Sequence, residues 1–323
     1  MTNPVLPLAR YRLHFRADGE VLLPYYAGSA WRGLMGHALK RLVCVTRLPR
    51  CEPCPLVHCC AHAYLFETPR PLETAKMRKY NSVPHPFVLT PPAGVERLAP
   101  GDPYVLGVNL FGQGNRHLPY LVHAFDQGGL TGIGKGRGRM QLVLTERELV
   151  PGQEDWWGLD KPGGPIENPV AEAPSIPHPP RDPVRVEILT PLRIRREGRP
   201  VRPESFRFVD LLSNLLRRVS MLTYFHTDHP LETDFAGLVR RADQVSPGEI
   251  QLEWRQWNRY SSRQRTHVAM DGLVGSFTLS HEEMGPFWPY LWLGQFTHAG
   301  AGTGMGQGQL RIQEPGPQGE RPA

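Results

Sequence analysis

The chain has 323 residues, a formal net charge of +6 and a hydrophobic content of 40%. This length and composition predict a globular protein with two ordinary domains, and they exclude a disordered or fibrous chain. No stretch has the charged start and apolar run of a signal peptide, and no apolar run is long enough to cross a bilayer. We therefore expect a cytoplasmic protein without a membrane partner.

The first half of the chain predicts the element order β-α-β-β-α-β. Strands are indicated by alternating or continuous apolar runs, and helices by apolar residues that recur on one face. The predicted elements are strands 9–15, 85–90, 104–111 and 139–146 and helices 27–43 and 118–127. This order is that of the ferredoxin-like unit.

The second half predicts the same order again. Its predicted elements are strands 184–194, 249–258, 272–280 and 309–312 and helices 205–224 and 285–296. We therefore predict an α+β fold of two tandem ferredoxin-like (βαββαβ, RRM-like) domains, each with a glycine-rich loop before its last strand.

The predicted domain boundaries follow from composition. Residues 151–183 contain nine prolines, which is typical of a linker. The N-terminal domain is then predicted over 1–150, with a Cys-rich insertion at 44–62. The C-terminal domain is predicted over 184–313, and residues 314–323 are predicted to be a disordered tail.

Two glycine-rich stretches support an internal repeat. Pro-Tyr-Leu begins at residues 119 and 289, and ten residues later each copy has four alternating glycines. The paired glycines, 170 residues apart, are Gly132, Gly134, Gly136 and Gly138 in the first copy and Gly302, Gly304, Gly306 and Gly308 in the second. A dinucleotide fingerprint is excluded, because it needs a strand before the glycines and a helix after them.

A second match lies upstream of the glycines in both copies. "LMGHALKRLV" at 34–43 aligns with "LLSNLLRRVS" at 211–220, at an offset of 177 residues. Two matches in the same order favour two copies of one structural unit over chance.

Basic residues are almost all arginine, which accounts for 32 of the 37. Arginine suits phosphate and base recognition, since its planar guanidinium donates bidentate hydrogen bonds to phosphate and stacks on bases. A GC-rich coding sequence raises arginine, glycine and proline together, and the chain has 33 Gly and 34 Pro. The arginine content alone therefore does not establish that the protein binds nucleic acid.

Four of the five cysteines lie in "CEPCPLVHCC" at 51–60. A reducing cytosol argues against disulfides. Cys51 and Cys54 have the spacing of paired zinc ligands, and Cys59 and Cys60 are the predicted partners in a structural zinc site. Cys44, His58 and His62 are further ligand candidates, and a turn of buried thiols without metal is an equal alternative.

With these repeats and motifs, the chain resembles the repeat-associated RNA-binding (RAMP) superfamily of CRISPR systems. Within that superfamily it resembles the endoribonucleases that process precursor crRNA. The stretches that carry the resemblance are "LPYYAGSAWRGLMGHAL", "CEPCPLVHCCAHAYLFE", "LTPLRI", "RYSSRQ", "DGLVGSF" and "FTHAGAGTGMGQGQL". The resemblance implies a metal-independent nuclease that cuts CRISPR repeat RNA by 2′-hydroxyl attack. The expected products carry a 5′-hydroxyl and a 2′,3′-cyclic phosphate, and no catalytic cofactor is expected.

That chemistry requires a base, an acid and positive charge around the phosphate. On helix 27–43, the face opposite the apolar stripe carries His37, Lys40 and Arg41. We predict His37 and Lys40 as catalytic residues, with Arg32 and Arg41 as RNA contacts. The second copy has Asn214 in place of His37, as expected if one copy performs the chemistry. An ordinary exposed histidine is the alternative.

His298 is the second histidine that we predict to be catalytic. It lies between helix 285–296 and the second glycine-rich stretch, and its counterpart in the first copy is Gly128. A histidine that caps the preceding helix is an equal alternative.

The remaining predicted RNA contacts are basic, aromatic and glycine residues in three stretches. "EWRQWNRYSSRQR" at 253–265 interleaves arginine with aromatic side chains, a pattern that suits phosphates and stacked bases. The predicted contacts are Arg255, Arg259, Tyr260 and Arg263, then Lys135, Arg137 and Arg139, and the backbone at Gly302, Gly304, Gly306 and Gly308. A half-buried strand with a solvated face is the alternative for the first group.

The expected partners are CRISPR repeat RNA, mature crRNA and other CRISPR effector subunits. Two other functions compete with the nuclease. One is a non-catalytic crRNA-binding subunit, which would bind RNA without cleaving it. The other is a cysteine-metal protein with a redox or regulatory role, which would contain stoichiometric iron.

Overall fold

The computed structural model of the protein describes residues 3–70, 83–159, 170–256, 258–261 and 266–314. The backbone divides into two compact units. The first unit comprises residues 5–174 and 221–230, and the second comprises 1–4, 175–220 and 231–323.

The first unit contains a five-stranded antiparallel sheet. Its elements are β1 (Leu8–Ala17), β2 (Val21–Leu22), α1 (Gly28–Val43), a π-helical turn (Ala63–Glu67), β3 (Phe87–Thr90), β4 (Arg97–Leu98), β5 (Pro103–Phe111), a 3₁₀ turn (Gly112–His117), α2 (Leu118–Thr131), β6 (Met140–Glu148) and β7 (Trp156–Gly158). The strand order is β3-β5-β1-β6-β7, and β2 pairs with β4. The four strands β1, β3, β5 and β6 with α1 and α2 give the ferredoxin-like topology.

The core of the first unit lies between this sheet and the two helices. Alternate residues of β1, among them Leu13 and Phe15, point into it and are fully buried. Trp31 of α1 is also fully buried and donates its indole N–H to the Tyr104 hydroxyl at 3.0 Å. Gly128 lets α1 and α2 approach closely, because any side chain there would overlap Leu34.

The second unit repeats the topology. Its elements are β8 (Val184–Leu192), β9 (Arg195–Arg196), β10 (Arg199–Pro200), a 3₁₀ turn (Pro203–Ser205), α3 (Phe208–His226), α4 (Phe235–Ala242), β11 (Gly248–Arg255), β12 (Asn258–Ser261), β13 (Thr266–Ala269), β14 (Gly272–Leu279), α5 (His281–Met284), a 3₁₀ turn (Gly285–Phe287), α6 (Trp288–Thr297), a 3₁₀ turn (Thr303–Met305) and β15 (Leu310–Gln313). The main sheet has the order β11-β14-β8-β15, while β9 pairs with β10 and β12 with β13.

These topologies confirm the predicted fold of two tandem ferredoxin-like domains. Each predicted strand and helix is present, with ends shifted by a few residues. The Pro-rich stretch differs from a simple linker at its start, because β7 pairs with β6 and extends the first sheet. The predicted tail lies outside the described residues after residue 314. Within the described ranges, no helix is both long and apolar enough to span a membrane.

Candidate functional site

The polar face of α1 presents His37 to solvent. Apolar residues of the helix, including Met35 and Leu39, are fully buried in the first unit, and His37 lies on the exposed side. Lys40 and Arg41 occupy the last turn of the helix. Cations at that end interact favourably with the helix dipole. The structure therefore places one titratable ring and two cations on the same helix surface.

Both cations also contact neighbouring segments of the first unit. Lys40 donates its ammonium to the carbonyl of Pro49 at 3.0 Å, so it bridges α1 to the Cys-rich insertion. Arg41 donates from Nη2 to Thr131 Oγ1 at 3.3 Å. Thr131 is the last residue of α2 and directly precedes the first glycine-rich stretch. The C-terminal end of α1 is therefore joined to the start of that stretch.

The predicted RNA contact Arg32 lies in a stack of aromatic rings. Its guanidinium carbon sits 4.1 Å from the centre of the Phe66 ring, and its Nη2 lies 3.0 Å from His85 Nε2. A side chain at Gly36 would overlap Phe66, whereas a side chain at Gly33 would meet nothing within 4 Å. Phe66 therefore covers the helix surface at Gly36, and the surface at Gly33 is open.

The first glycine-rich loop, residues 132–139, is an exposed cationic turn whose backbone is held by hydrogen bonds. Ile133 is buried and donates its N–H to the Gly138 carbonyl at 2.9 Å, and the N–H of Lys135 donates to the Leu22 carbonyl at 2.9 Å. The side chains of Lys135, Arg137 and Arg139 are all exposed. These three predicted RNA contacts are therefore available to a phosphate chain.

The second glycine-rich loop, residues 301–309, is mostly buried. Thr190 of β8 donates its hydroxyl to the Gly306 carbonyl at 2.8 Å, and the N–H of Gly308 donates to the Pro191 carbonyl at 3.2 Å. A side chain at Gly308 would overlap the carbonyl of Ala299, and one at Gly302 would overlap Gln307. Close packing within the chain itself therefore explains why these loop positions are glycine. RNA contact at Gly302, Gly304, Gly306 and Gly308 stays a prediction.

His298 follows α6 directly and is fully buried, with a backbone φ of 57°. Its N–H donates to the Gly294 carbonyl at 2.9 Å, which closes the end of the helix. A positive φ is uncommon for a residue other than glycine, and it indicates that the surrounding structure fixes this position. A catalytic role for His298 stays a prediction, and its burial favours support of the loop that follows.

The predicted arginine-rich strand is partly described. Arg255 ends β11 and is exposed, and it forms an ion pair with Glu253 at 2.7 Å. In the β12–β13 pair, Arg259 stands opposite Val268 and Tyr260 opposite His267. Arg263 lies outside the described residues. The RNA contacts predicted for this segment stay predictions.

The five cysteines are free thiols around one cavity of the first unit. The cavity measures about 330 Å³ and is also lined by His62. Cys51, Cys54 and Cys60 are partly buried, whereas Cys59 is exposed. No three His, Cys, Asp or Glu side chains in the described part of the chain already converge in a metal-binding arrangement. The predicted zinc site at Cys51, Cys54, Cys59 and Cys60 therefore stays a prediction.

Burial changes two pKa values in this insertion. Burial, with smaller contributions from Lys40 and His37, lowers the pKa of His62 to about 4. Burial also raises the pKa of the Cys51 thiol; Lys40 opposes this change, while Glu67, Cys60 and Cys44 add to it. His62 is therefore neutral at pH 7, and the insertion lies close enough to α1 for these charges to interact.

Sequence reasoning missed the side chains that fold back over α1. Phe66 and His85 stack around Arg32, and Pro49 holds Lys40. The bounds of the Cys-rich insertion were visible in the sequence, but nothing local indicated which helix it covers. A contact between residues tens of positions apart leaves no periodic trace in one sequence.

Comparison with known proteins agrees with this architecture. Residues 6–158 match a family of N-terminal domains, and residues 186–310 match the family of the CRISPR-associated endoribonuclease Cas6. No curated protein sequence matches the chain.

Solved structures show the same fold at low sequence identity. A Cas6 product complex is similar at a TM-score of 0.55 and 17% identity, covering 95% of this chain and 100% of that one. Cas6 from Thermus thermophilus gives 0.51 and 16%, covering 95% and 99%. A partial Cas6-RT-Cas1–Cas2 complex gives 0.56 and 14%, covering 97% of this chain and 47% of that one.

The chain therefore shares its fold of two ferredoxin-like units with these Cas6 structures. The family match over residues 186–310 is more specific: this part of the chain carries a domain of the CRISPR-associated endoribonuclease Cas6 family. The chain is therefore an endoribonuclease with a Cas6 domain, and this match supports the resemblance to CRISPR repeat RNA processing seen in the sequence.

Proposed function

We propose that this endoribonuclease cleaves its repeat RNA without a metal ion, by attack of a ribose 2′-oxygen on the adjacent phosphorus. The bond from phosphorus to the 5′-oxygen breaks as the new phosphorus–oxygen bond forms. One product then carries a 2′,3′-cyclic phosphate and the other a 5′-hydroxyl. One proton leaves the 2′-hydroxyl and one joins the leaving oxygen, so the step needs proton carriers and cationic groups.

The single observation that carries this proposal is the polar face of α1. His37 is exposed there, one turn before Lys40 and Arg41. An imidazole titrates near neutrality and can take or give the proton. Lys40 would stabilise charge on the phosphorane, and its ammonium is already held beside α1 by the Pro49 carbonyl. His37 is the proton carrier in this proposal.

The counterpart of His37 in α3, Asn214, supports the assignment of proton transfer to the first copy alone. Asn214 donates to the Asp210 carbonyl at 3.0 Å and accepts from Arg217 at 2.8 Å. Its side chain cannot titrate, and its amide is engaged within α3. The second unit therefore lacks an equivalent proton carrier at this position.

His298 supports the chemistry in a different way in this proposal. Its ring is buried and its backbone fixes the start of the second glycine-rich loop. We assign it to positioning that loop. His298→Lys would then destabilise the fold as well as slow cleavage, whereas a proton carrier could be replaced without loss of folding.

RNA would be held by cations of the first unit and by the arginine-rich segment of the second. Lys135, Arg137 and Arg139 project from an anchored turn, and Arg255 lies at the end of β11. Arg32, Arg41, Arg259, Tyr260 and Arg263 complete the proposed contact set. Cation–phosphate contacts release counterions, so affinity should fall as salt rises.

The protein partners follow from the similar structures. A structural neighbour occurs in a Cas6-RT-Cas1–Cas2 complex. We propose that this chain likewise meets other CRISPR proteins, with crRNA as the shared ligand.

The test is single-turnover cleavage of the repeat RNA from the neighbouring array in the presence of EDTA. Cleavage should proceed, and end analysis should find a 5′-hydroxyl and a cyclic phosphate. A requirement for added Mg²⁺ together with 5′-phosphate ends would overturn the proposed chemistry. His37→Ala and Asn214→Ala form the matched pair of variants.

A further inference from the structure

The Cys-rich insertion brings metal-binding side chains, cysteine thiols and a histidine imidazole, to a single cavity. All five cysteines and His62 line the same space of about 330 Å³. Thiolate and imidazole are the ligands that zinc prefers in structural sites. The remaining lining is mainly aliphatic, together with Thr46, Arg50, His117 and Tyr120.

The best-defined pair of donors is Cys51 and His62. The distance from Cys51 Sγ to His62 Nδ1 is 3.7 Å. Two such ligands on one tetrahedral zinc stand about 3.6 Å apart, given the usual Zn–S and Zn–N bond lengths. The observed separation therefore matches one edge of a zinc coordination tetrahedron.

Two further sulfurs are placed to join this pair. The N–H of Cys54 donates to the Cys51 carbonyl at 3.0 Å, which forms the tight turn typical of two zinc ligands separated by two residues. Cys60 is partly buried and, like Cys44, lies near enough to Cys51 to act on it electrostatically. Rotation about χ1 moves each sulfur between staggered positions at little cost, which allows them to converge.

The other two cysteines have different surroundings. Cys59 is exposed, and its Sγ lies 3.5 Å from the carbonyl of Leu56, which it faces as a donor. Cys44 caps the end of α1, and its Sγ lies 3.9 Å from Thr46 Oγ1, which also lies 3.4 Å from Cys54 Sγ. We propose that Cys51, Cys54, Cys60 and His62 bind one structural zinc ion, so that His62 takes the place first predicted for Cys59.

The site would fix the insertion against α1. His62 stacks on Phe66 with ring centres 5.5 Å apart, and Phe66 covers Gly36 of α1. From the same insertion, the Pro49 carbonyl accepts from Lys40. A zinc ion bound by His62 would therefore hold both contacts to the helix that carries His37.

The experiment measures zinc per chain in full-length protein purified without chelators or a metal-affinity step. Wild type and the matched control Cys59→Ser should each contain about one zinc ion. Cys51→Ser, Cys54→Ser and Cys60→Ser should retain less than about a tenth of that, and His62→Asn should bind zinc at least about tenfold more weakly. Cys44→Ser should keep its zinc.

Cobalt(II) substitution in the wild type provides a measurement that does not depend on variants folding. Tetrahedral ligand-field bands together with thiolate charge-transfer bands are expected. Octahedral cobalt spectra, zinc-free wild type after expression with added zinc, or loss of zinc from Cys59→Ser with retention in His62→Asn would each overturn the proposed ligand set. Metal content is independent of RNA cleavage, so this result and the proposed mechanism can fail separately.

Discussion

The two glycine-rich loops share one spacing and have opposite surroundings. The first, at residues 132–139, is exposed and carries Lys135, Arg137 and Arg139. The second, at 301–309, is mostly buried, carries no charged side chain and bonds to β8 through Gly306 and Gly308. The same pattern of glycines thus forms an exposed cationic turn in one copy and packs within the chain in the other.

The backbone of the two loops differs as well. Gly134 has a φ of +72°, whereas its counterpart Gly304 is not in the left-handed region. The reverse holds at the last glycine, where Gly308 has a φ of +66° and Gly138 is not left-handed. Equal spacing therefore indicates common origin of the two copies, and it does not fix a common conformation.

The paired helices show the same division. His37 is exposed on α1, while Asn214 is hydrogen-bonded within α3. Arg41 is exposed, while Arg218 donates to the Thr297 carbonyl at 2.6 Å and burial lowers its pKa to about 9. In these two pairs the side chain of the first copy is exposed, whereas that of the second copy is hydrogen-bonded within the second unit.

The largest expected effect tests the catalytic side of this comparison. His37→Ala should slow single-turnover cleavage by on the order of 100-fold or more, because general acid–base catalysis contributes that much. RNA affinity should hardly change, since Lys40 and Arg41 remain. Asn214→Ala is the control and should cleave at nearly the normal rate. A normal rate for His37→Ala would end the assignment and make His298 the better candidate.

The packing role of the second loop predicts a stability difference. Gly308→Ala should lower the free energy of unfolding by about 2 kcal/mol or more, because of its positive φ and the overlap with the Ala299 carbonyl. Gly136→Ala in the first loop meets nothing within 4 Å and should cost about 1 kcal/mol, from its positive φ alone. Urea unfolding measures both. Equal losses would contradict the division between the loops.

The paired arginines provide a smaller contrast in stability. Arg218→Leu should lower the free energy of unfolding by about 1–2 kcal/mol, because the Thr297 carbonyl loses its donor. Arg41→Leu on the exposed face should stay within about 0.5 kcal/mol of wild type. Thermal unfolding of the two variants side by side measures both losses of stability. A larger loss in Arg41→Leu than in Arg218→Leu would show that burial does not distinguish the two arginines.

The contact role of the first loop predicts a change in RNA affinity. Replacing Lys135, Arg137 and Arg139 together by alanine should weaken binding by about tenfold near physiological salt. The slope of affinity against salt should fall by about 2, the value for three phosphate contacts on a single strand. Gln309→Ala at the edge of the second loop is the neutral control. An unchanged salt slope in the triple variant would place the RNA elsewhere.

The fold was predictable because its signals are local. Apolar alternation in β1 and the apolar face of α1 follow from the period of each element, and the repeat fixed their order in both copies. β7 was missed, since three residues among prolines give no periodic pattern. The strands and helices of the two ferredoxin-like units therefore came from the sequence, whereas β7, α4, α5 and the short strand pairs came only from the structure.

The candidate site was predictable in its residue types and not in their surroundings. His37 and Lys40 fall on one helix face by spacing alone. The burial of the second loop depends on Thr190, more than a hundred residues away, and the cover over Gly36 depends on Phe66. Contacts at such separations depend on how the elements pack, so the sequence could not distinguish the two loops.

The anchoring of the first loop has a consequence for how RNA binds. Both ends of its turn are fixed by backbone hydrogen bonds, from Ile133 to Gly138 and from Lys135 to Leu22. Its main chain is therefore held in place without RNA, and only the three long side chains would become ordered on RNA contact. Association at this loop should be fast and should bring little change in heat capacity, as for a rigid surface that meets a flexible strand.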